Sequence, residues 1–433
     1  MGLLFACGLL VFYAAFMRRR PASSYPLITL LWWQYLALGG SAALIALSGV
    51  LQPVYAPNYL AALFLLTCVA ISALGFRDFR SHDVAQLIGR ISGQRAIENV
   101  LICSQLLAIG FFAPFAIDSL TGDVHQNRLL LDDKMEVMGS YGLINTAAGA
   151  ATQLFSSSLV MAFIRLAPRQ GRQRSVARAV VLVLSSLSYV VYILAYVGRD
   201  GVVYWLMTAA MVLAVFWIHL TRADRMRIVG AGALISALLL VPFLAITIAR
   251  FLDTEHGAAW SFLEYFGAQI HHFSDYSSID RPLTLGVLNF PMFIGVACST
   301  AGLQCESWPD IKELIFSLYL AQDKEPWLFG TFVSDFVADF GYLGAFVLVC
   351  GLALLSHRLC TGYRRQGRLT LARLLLILFV FLIPFWGVFY FRFSIANGFI
   401  VVNLLFIGLV ALLQKWGPAG SSASSAKAPR SLA

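Results

Sequence analysis

The chain has 433 residues, of which 59% are hydrophobic and only 12% charged, and its mean hydropathy is +0.78. A soluble globular protein carries about 25% charged residues, so the composition argues against a water-soluble fold, and equally against a disordered polymer or, with 7 Cys in so long a chain, a disulfide-stapled secreted domain. What remains is a chain that folds in lipid, with a net charge of +9 whose placement decides its meaning.

A helix needs about 20 mostly apolar residues to cross the hydrocarbon core. Runs near that length lie at 2–17, 26–50, 57–75, 97–117, 141–164, 179–197, 201–219, 228–249, 337–356, 370–390 and 398–414. They predict an all-α polytopic membrane protein with about eleven transmembrane helices. The runs are continuous rather than alternating, unlike the strands of an outer-membrane barrel. Arg18, Arg19 and Arg20 follow the first run, whereas a cleavable signal peptide carries its positive charges ahead of it. This predicts a retained anchor with the N-terminus outside.

From there the loops alternate. Residues 18–25, 76–96, 165–178, 220–227, 357–369 and the tail after 414 fall inside, the C-terminus with them. With Arg373 and Glu98, each just inside its span, they hold 23 of the 31 Lys and Arg but only four of the 22 acids: Asp78, Asp83, Glu98 and Asp224. The inner face is then +19 and the outer face −10, in keeping with the positive-inside rule. The basic loops read as topology determinants against anionic lipid, and no nucleic acid is expected as a partner. Residues 417–433, rich in Ser, Ala, Gly and Pro, predict a disordered inner tail. Residues 1–416 remain as a single membrane domain without the paired broken spans of a two-half transporter.

One loop stands apart. Residues 250–334 predict a large outer loop, and loops this long are usually functional. Its apolar stretch Leu283–Leu303, broken by Asn289 and Pro291, reads as an interfacial or re-entrant segment, because a twelfth span would invert every later loop. Cys298 and Cys305 also fall here, placed for a disulfide if that side is oxidising. Five other cysteines lie in or near spans as packing residues. No Cys/His spacing suggests zinc, and no metal is expected.

Cations are scarce on the outer side, so their positions are informative. Arg199, Arg250 and Arg392 each end a different span, and Arg281 follows in the large loop. Ionisable groups at such depths usually face a bundle interior or watery cavity. Arginine presents a planar fork of donors that matches phosphate oxygens, so the set reads as an anion site; pairing with acids such as Asp200 is the plainer alternative. Asp335 and Asp339, four apart, share a helix face. They read as counter-charges, with a general base or metal site as the sharper options. His271 and His272, beside Asp275, Tyr276 and Asp280, are candidates to take a proton from a hydroxyl. Tyr265 and Tyr276 offer sugar-stacking faces, although interfacial aromatic belts are commoner.

The chain resembles the Wzy-type O-antigen polymerases of bacterial inner membranes. The residues that carry the resemblance are the turn Gly198-Arg199-Asp200-Gly201, Arg250 opening the long loop, Tyr265-Phe266 through His272-Phe273-Ser274, the element Pro282-Leu283-Thr284-Leu285-Gly286, and Asp339-Phe340-Gly341 with Gly344. They span roughly residues 195–355. The resemblance implies a GT-C-like polymerase/ligase type of fold with the N-terminus and large loop in the periplasm and the tail in the cytoplasm. It implies a growing glycan on undecaprenyl diphosphate, transferred to the non-reducing sugar of a new lipid-linked repeat unit, without a metal cofactor. Arg199, Arg250, Arg281 and Arg392 would hold the diphosphate. His271, His272 or Asp280 would accept the proton, and Tyr265, Tyr276, Asp335 and Asp339 would support or contact glycan. The partners implied are the lipid-linked oligosaccharide, the bilayer and a polysaccharide chain-length regulator. A ligase that attaches glycan to lipid A core and a non-enzymatic flippase or transporter are the alternatives.

Overall fold

The computed structural model describes residues 1–18, 22–48, 58–84, 91, 93–121, 131–167, 175–198, 200–251, 267–276, 279, 281–303, 307–322, 330–365, 369–394 and 397–416. Among these there is no strand. The α-helices are α1 (Gly2–Met17), α2 (Pro26–Leu47), α3 (Tyr59–Gly75), α4 (Gln94–Thr121), α5 (Leu131–Ser140), α6 (Leu143–Thr152), α7 (Phe155–Leu166), α8 (Val176–Ser186), α9 (Ser188–Ala195), α10 (Asp200–Phe216), α11 (Arg222–Phe251), α12 (Gln269–Tyr276), α13 (Pro291–Ala301), α14 (Trp308–Leu320), α15 (Phe332–Arg365), α16 (Leu371–Trp386) and α17 (Asn397–Trp416).

Each of the eleven apolar runs coincides with one helix or one helix pair. Among the described residues seven segments are long and apolar enough to cross a membrane: α2, α4, α8 with α9, α10, α11, α15 and α17. The pair α6–α7, bent by 41°, makes an eighth if read as one span. The helices α1, α3 and α16, at 16 or 17 residues, fall short of that length. The stretch around α13 yields a helix of only 11 residues, too short to cross. Local signals set several ends: Pro26 opens α2, Asn58 caps α3 by accepting from Ala61 N, and Thr370 caps α16 by accepting from Arg373 N.

α16 is sheathed by its neighbours, with most of its residues buried. Its Trp386 lies in a stack with Phe155 of α7 and Tyr189 of α9, ring centroids 5.9 and 6.5 Å away. α4 packs on α8 and α9, α15 on α3, and α17 on α16. α11 is the exception, with only 6% of its apolar window buried.

The polar contacts sort the loops into two ends. α15 joins them, with Asp335 in its first turn and Arg364 in its last. At the Arg364 end the inner acids find the inner bases. Buried Glu98 accepts from Arg165 at 2.5 and 2.8 Å and lies 2.6 Å from Arg178. Asp78 meets His357 at 3.1 Å and Arg364 at 3.7 Å, and Asp83 meets Arg364 at 3.6 Å. At the Asp335 end gather Asp200, Asn289, Tyr390, Arg392 and Asn397.

Candidate functional site

The Asp335 end is built around a break in α15. Gly341 has φ 66 and ψ 179, a conformation open to glycine and strained for any residue with a Cβ. A Cβ there would meet Leu283 at 3.4 Å, and one on Gly286, whose φ is +100, would meet the Phe340 ring at 3.3 Å. The Pro282–Gly286 element and the Asp339-Phe340-Gly341 element are therefore packed face to face as one unit.

Asp339 holds that unit together. It is fully buried. One carboxylate oxygen accepts from the Thr284 hydroxyl and from Leu288 N at 3.1 Å. The other accepts from Asn289 N at 2.9 Å and Asn289 Nδ2 at 2.6 Å. Two carboxylate oxygens offer about four acceptor positions, and the loop takes all of them. Among the described residues Asp339 forms no ion pair with an arginine, and as a base it has no acceptor capacity to spare. Asn289 also donates to Asp335 O at 2.7 Å, and its own carbonyl accepts from Asn397 Nδ2 at 2.9 Å. Asn397 in turn accepts from Met292 N at 3.0 Å. One loop thus ties together the starts of α13, α15 and α17.

Asp335, one turn earlier, is partly exposed and accepts from Phe391 N at 2.5 Å. Phe391 directly precedes Arg392, so Asp335 fixes the backbone beside that arginine. Arg281 donates to the Tyr319 hydroxyl and sits 5.7 Å from the centre of that ring. Burial pushes the Tyr319 hydroxyl above its ordinary range; Arg281 pulls it down and Asp335 pushes it up.

Arg392 lies in a tyrosine cage. It is 3.3 Å from Asp200 and donates to the hydroxyls of Tyr390 at 2.9 Å and Tyr189 at 3.3 Å. Its guanidinium also faces the Tyr204 ring at 5.5 Å. Burial disfavours its charge, but Asp200 and the tyrosines more than offset this and hold its pKa above the ordinary range. Asp200 heads α10 through a tight turn: a Cβ on Gly198 would meet Ile193 at 2.7 Å, and one on Gly201 at 2.6 Å. This cage is the pairing the sequence offered as the plainer alternative. Tyr189, Tyr204, Tyr319 and Tyr390 are site residues that the sequence reading missed; Tyr390 and Tyr204 lie near Arg392 and Arg199 in the chain, while Tyr189 and Tyr319 carried no local signal.

The histidines sit elsewhere. α12 packs on α2 and α3, and His271 and His272 are both buried. His271 Nε2 lies 3.2 Å from Ala42 O. A carbonyl only accepts, so Nε2 carries the hydrogen and Nδ1 is the acceptor atom. Burial lowers the His271 pKa, and the bond to Ala42 partly restores it. Phe273 reaches towards the break in α15, its ring centroid 6.5 Å from that of Tyr342.

Arg199, Tyr265 and Asp280 lie outside the described residues, as do the side chains of Arg250 and Tyr276. Cys298 is disulfide-bonded, while Cys305 lies outside the described residues. Among the described residues no three His, Cys, Asp or Glu side chains gather as a metal site would require. No family model, curated protein or solved structure matches this chain.

Proposed function

We propose that the chain is a membrane glycosyltransferase of the O-antigen polymerase kind. It lengthens a surface polysaccharide by moving the growing glycan from a polyprenyl diphosphate to the non-reducing end of a new lipid-linked repeat unit. The observation that carries this reading is the guanidinium of Arg392, held by Asp200 and the tyrosines at the end of the bundle where Asp335 binds Phe391 N. Beside them stands the loop that Asp339 orders.

In the reaction an acceptor hydroxyl oxygen bonds to the anomeric carbon. The bond from that carbon to the diphosphate oxygen breaks, and the diphosphate leaves with the electron pair. Negative charge grows on the leaving group, and fixed guanidinium groups aimed at it lower the barrier. Arg281 and Arg392, with Arg199 and Arg250, fill that role. The hydroxyl proton passes to a side-chain base, for which His271, His272 and Asp280 are the candidates. The reading places the protein in a bacterial inner membrane with this end in the periplasm, beside a chain-length regulator, and without a metal.

The test is reconstitution of the full chain with a purified undecaprenyl-diphosphate repeat unit, with and without chelator. The expected result is an oligomer ladder in both, lost in Arg250→Gln and Arg281→Gln. Absence of oligomers with transbilayer movement of the lipid would replace this reading with a flippase. Unattached polymer accumulating in cells that lack the protein would replace it with a ligase.

A further inference from the structure

α11 leaves a groove between itself and the bundle. The cavity has a volume of about 670 Å³, within the roughly 300–1,000 Å³ of small-ligand sites. Its walls come from α7, α8, α10 and α11 and are apolar but for two charged residues, Asp224 and Arg227, and Ser236. On α11 the lining runs from Asp224 to Ser236. At 1.5 Å per residue this is about 18 Å, close to the ~15 Å that is half of a bilayer's hydrocarbon core. The groove is therefore one leaflet deep.

Both charged residues lie at the same end, where α11 begins. Asp224 is engaged, since the Thr221 hydroxyl donates to it at 2.5 Å. Arg227 is exposed and forms no ion pair or hydrogen bond among the described residues. That end is also the end of the basic loops, opposite the arginine and aspartate site. At the deep end stands Trp205, whose indole donates to the Ser186 hydroxyl at 2.9 Å. Its polar atom is satisfied, and its ring is left as apolar wall.

We propose that this groove binds an anionic glycerophospholipid of the leaflet on the Arg227 side. An acyl chain fills the slot from Leu213 to Trp205, and the phosphate sits on Arg227. Basic pockets between transmembrane helices are the recurring form of such sites. The depth of one leaflet selects a membrane lipid over a chain that crosses the bilayer. The weak burial of α11 gives the lipid a structural part: it supplies the packing that protein side chains do not. The site is separate from the proposed transfer site and does not depend on that reading.

The test uses the full chain in phosphatidylcholine nanodiscs containing phosphatidylglycerol, with either lipid carrying a photoreactive group on its acyl chain. Labelling is expected on the peptides of Leu184, Leu206 and Ile235. The phosphatidylglycerol probe should label about fivefold more than the phosphatidylcholine probe, the effect of one basic residue at the surface. Arg227→Gln should bring that ratio to about one. A Cβ on Gly232 meets nothing within 4 Å, so Gly232→Trp should fill the slot, leave the fold intact by size-exclusion chromatography and abolish labelling by both probes. Labelling spread evenly over all lipid-facing helices, or unmoved by Gly232→Trp, overturns the proposal. So does an unchanged ratio in Arg227→Gln, displacement of the label by undecaprenyl phosphate, or native mass spectra showing a second copy of the chain seated on α11.

Discussion

Replacing Asp339 by alanine tests whether this carboxylate orders the loop or does chemistry. Three donors lose their partner: the Thr284 hydroxyl, Leu288 N and Asn289 N. Asn289 Nδ2 keeps its bond to Asp335 O. A buried donor left without a partner costs about 1–3 kcal/mol. Removing a buried carboxylate also relieves its desolvation, which favours the low end of the sum, about 3 kcal/mol. In a chain of this size that corresponds to a fall in Tm of about 3 °C. Asp339→Asn keeps one oxygen and should fall about half as far, roughly 1.5 °C. Thermal unfolding in detergent measures the shift, and hydrogen exchange of the Leu288 and Asn289 amides locates it. Asp335→Ala, which frees only Phe391 N, should leave those two amides protected. If Asp339→Ala keeps the wild-type Tm and full protection at Leu288 and Asn289, Asp339 does not hold the loop and the site must be redrawn.

Three further outcomes follow from the same geometry. Arg392→Lys should lower polymer synthesis by about 100-fold, because an ammonium holds its donors on one nitrogen and cannot span Tyr189, bound at Nε, and Asp200 and Tyr390, met at Nη1; wild-type ladders from this variant would remove Arg392 from the site. Glu98→Ala leaves Arg165 with an unpaired charge in a buried setting and should cost about 3–5 kcal/mol, read by thermal unfolding, whereas a Tm equal to wild type would show the cluster to be solvated. The His271 pKa is lowered by burial below its ordinary 6.5, so the unfolded chain takes up the proton first. Stability should be level in this respect above pH 6.5 and fall as the pH drops below it. His271→Gln should flatten that slope, and an unchanged slope would show that another group produces it.

Much of the architecture was legible in the chain itself. Eleven apolar runs are eleven helices or helix pairs, since a segment bounded by lipid must satisfy its backbone internally and hydropathy reports that directly. Acids and bases that the charge count grouped together do meet: Glu98 pairs with Arg165 and Arg178, and Asp78 with Arg364. The tertiary structure decided the length of each helix and the roles within the site. Asp335 and Asp339, alike in sequence and one turn apart, part company because Asp339 points into a loop some fifty residues away while Asp335 faces Phe391. The Pro282–Gly286 and Asp339–Gly341 elements become one unit only where a left-handed glycine breaks α15. Arg392 is caged by its neighbour Tyr390 and by Asp200, Tyr189 and Tyr204 from other segments. Hydrophobicity and charge are properties of single residues and of local runs, so the sequence alone marks which segments become the apolar helices and where basic residues concentrate. Which hydrogen-bond acceptors remain open depends on partners that only chain folding brings within 3 Å, and that decision belongs to the packed structure.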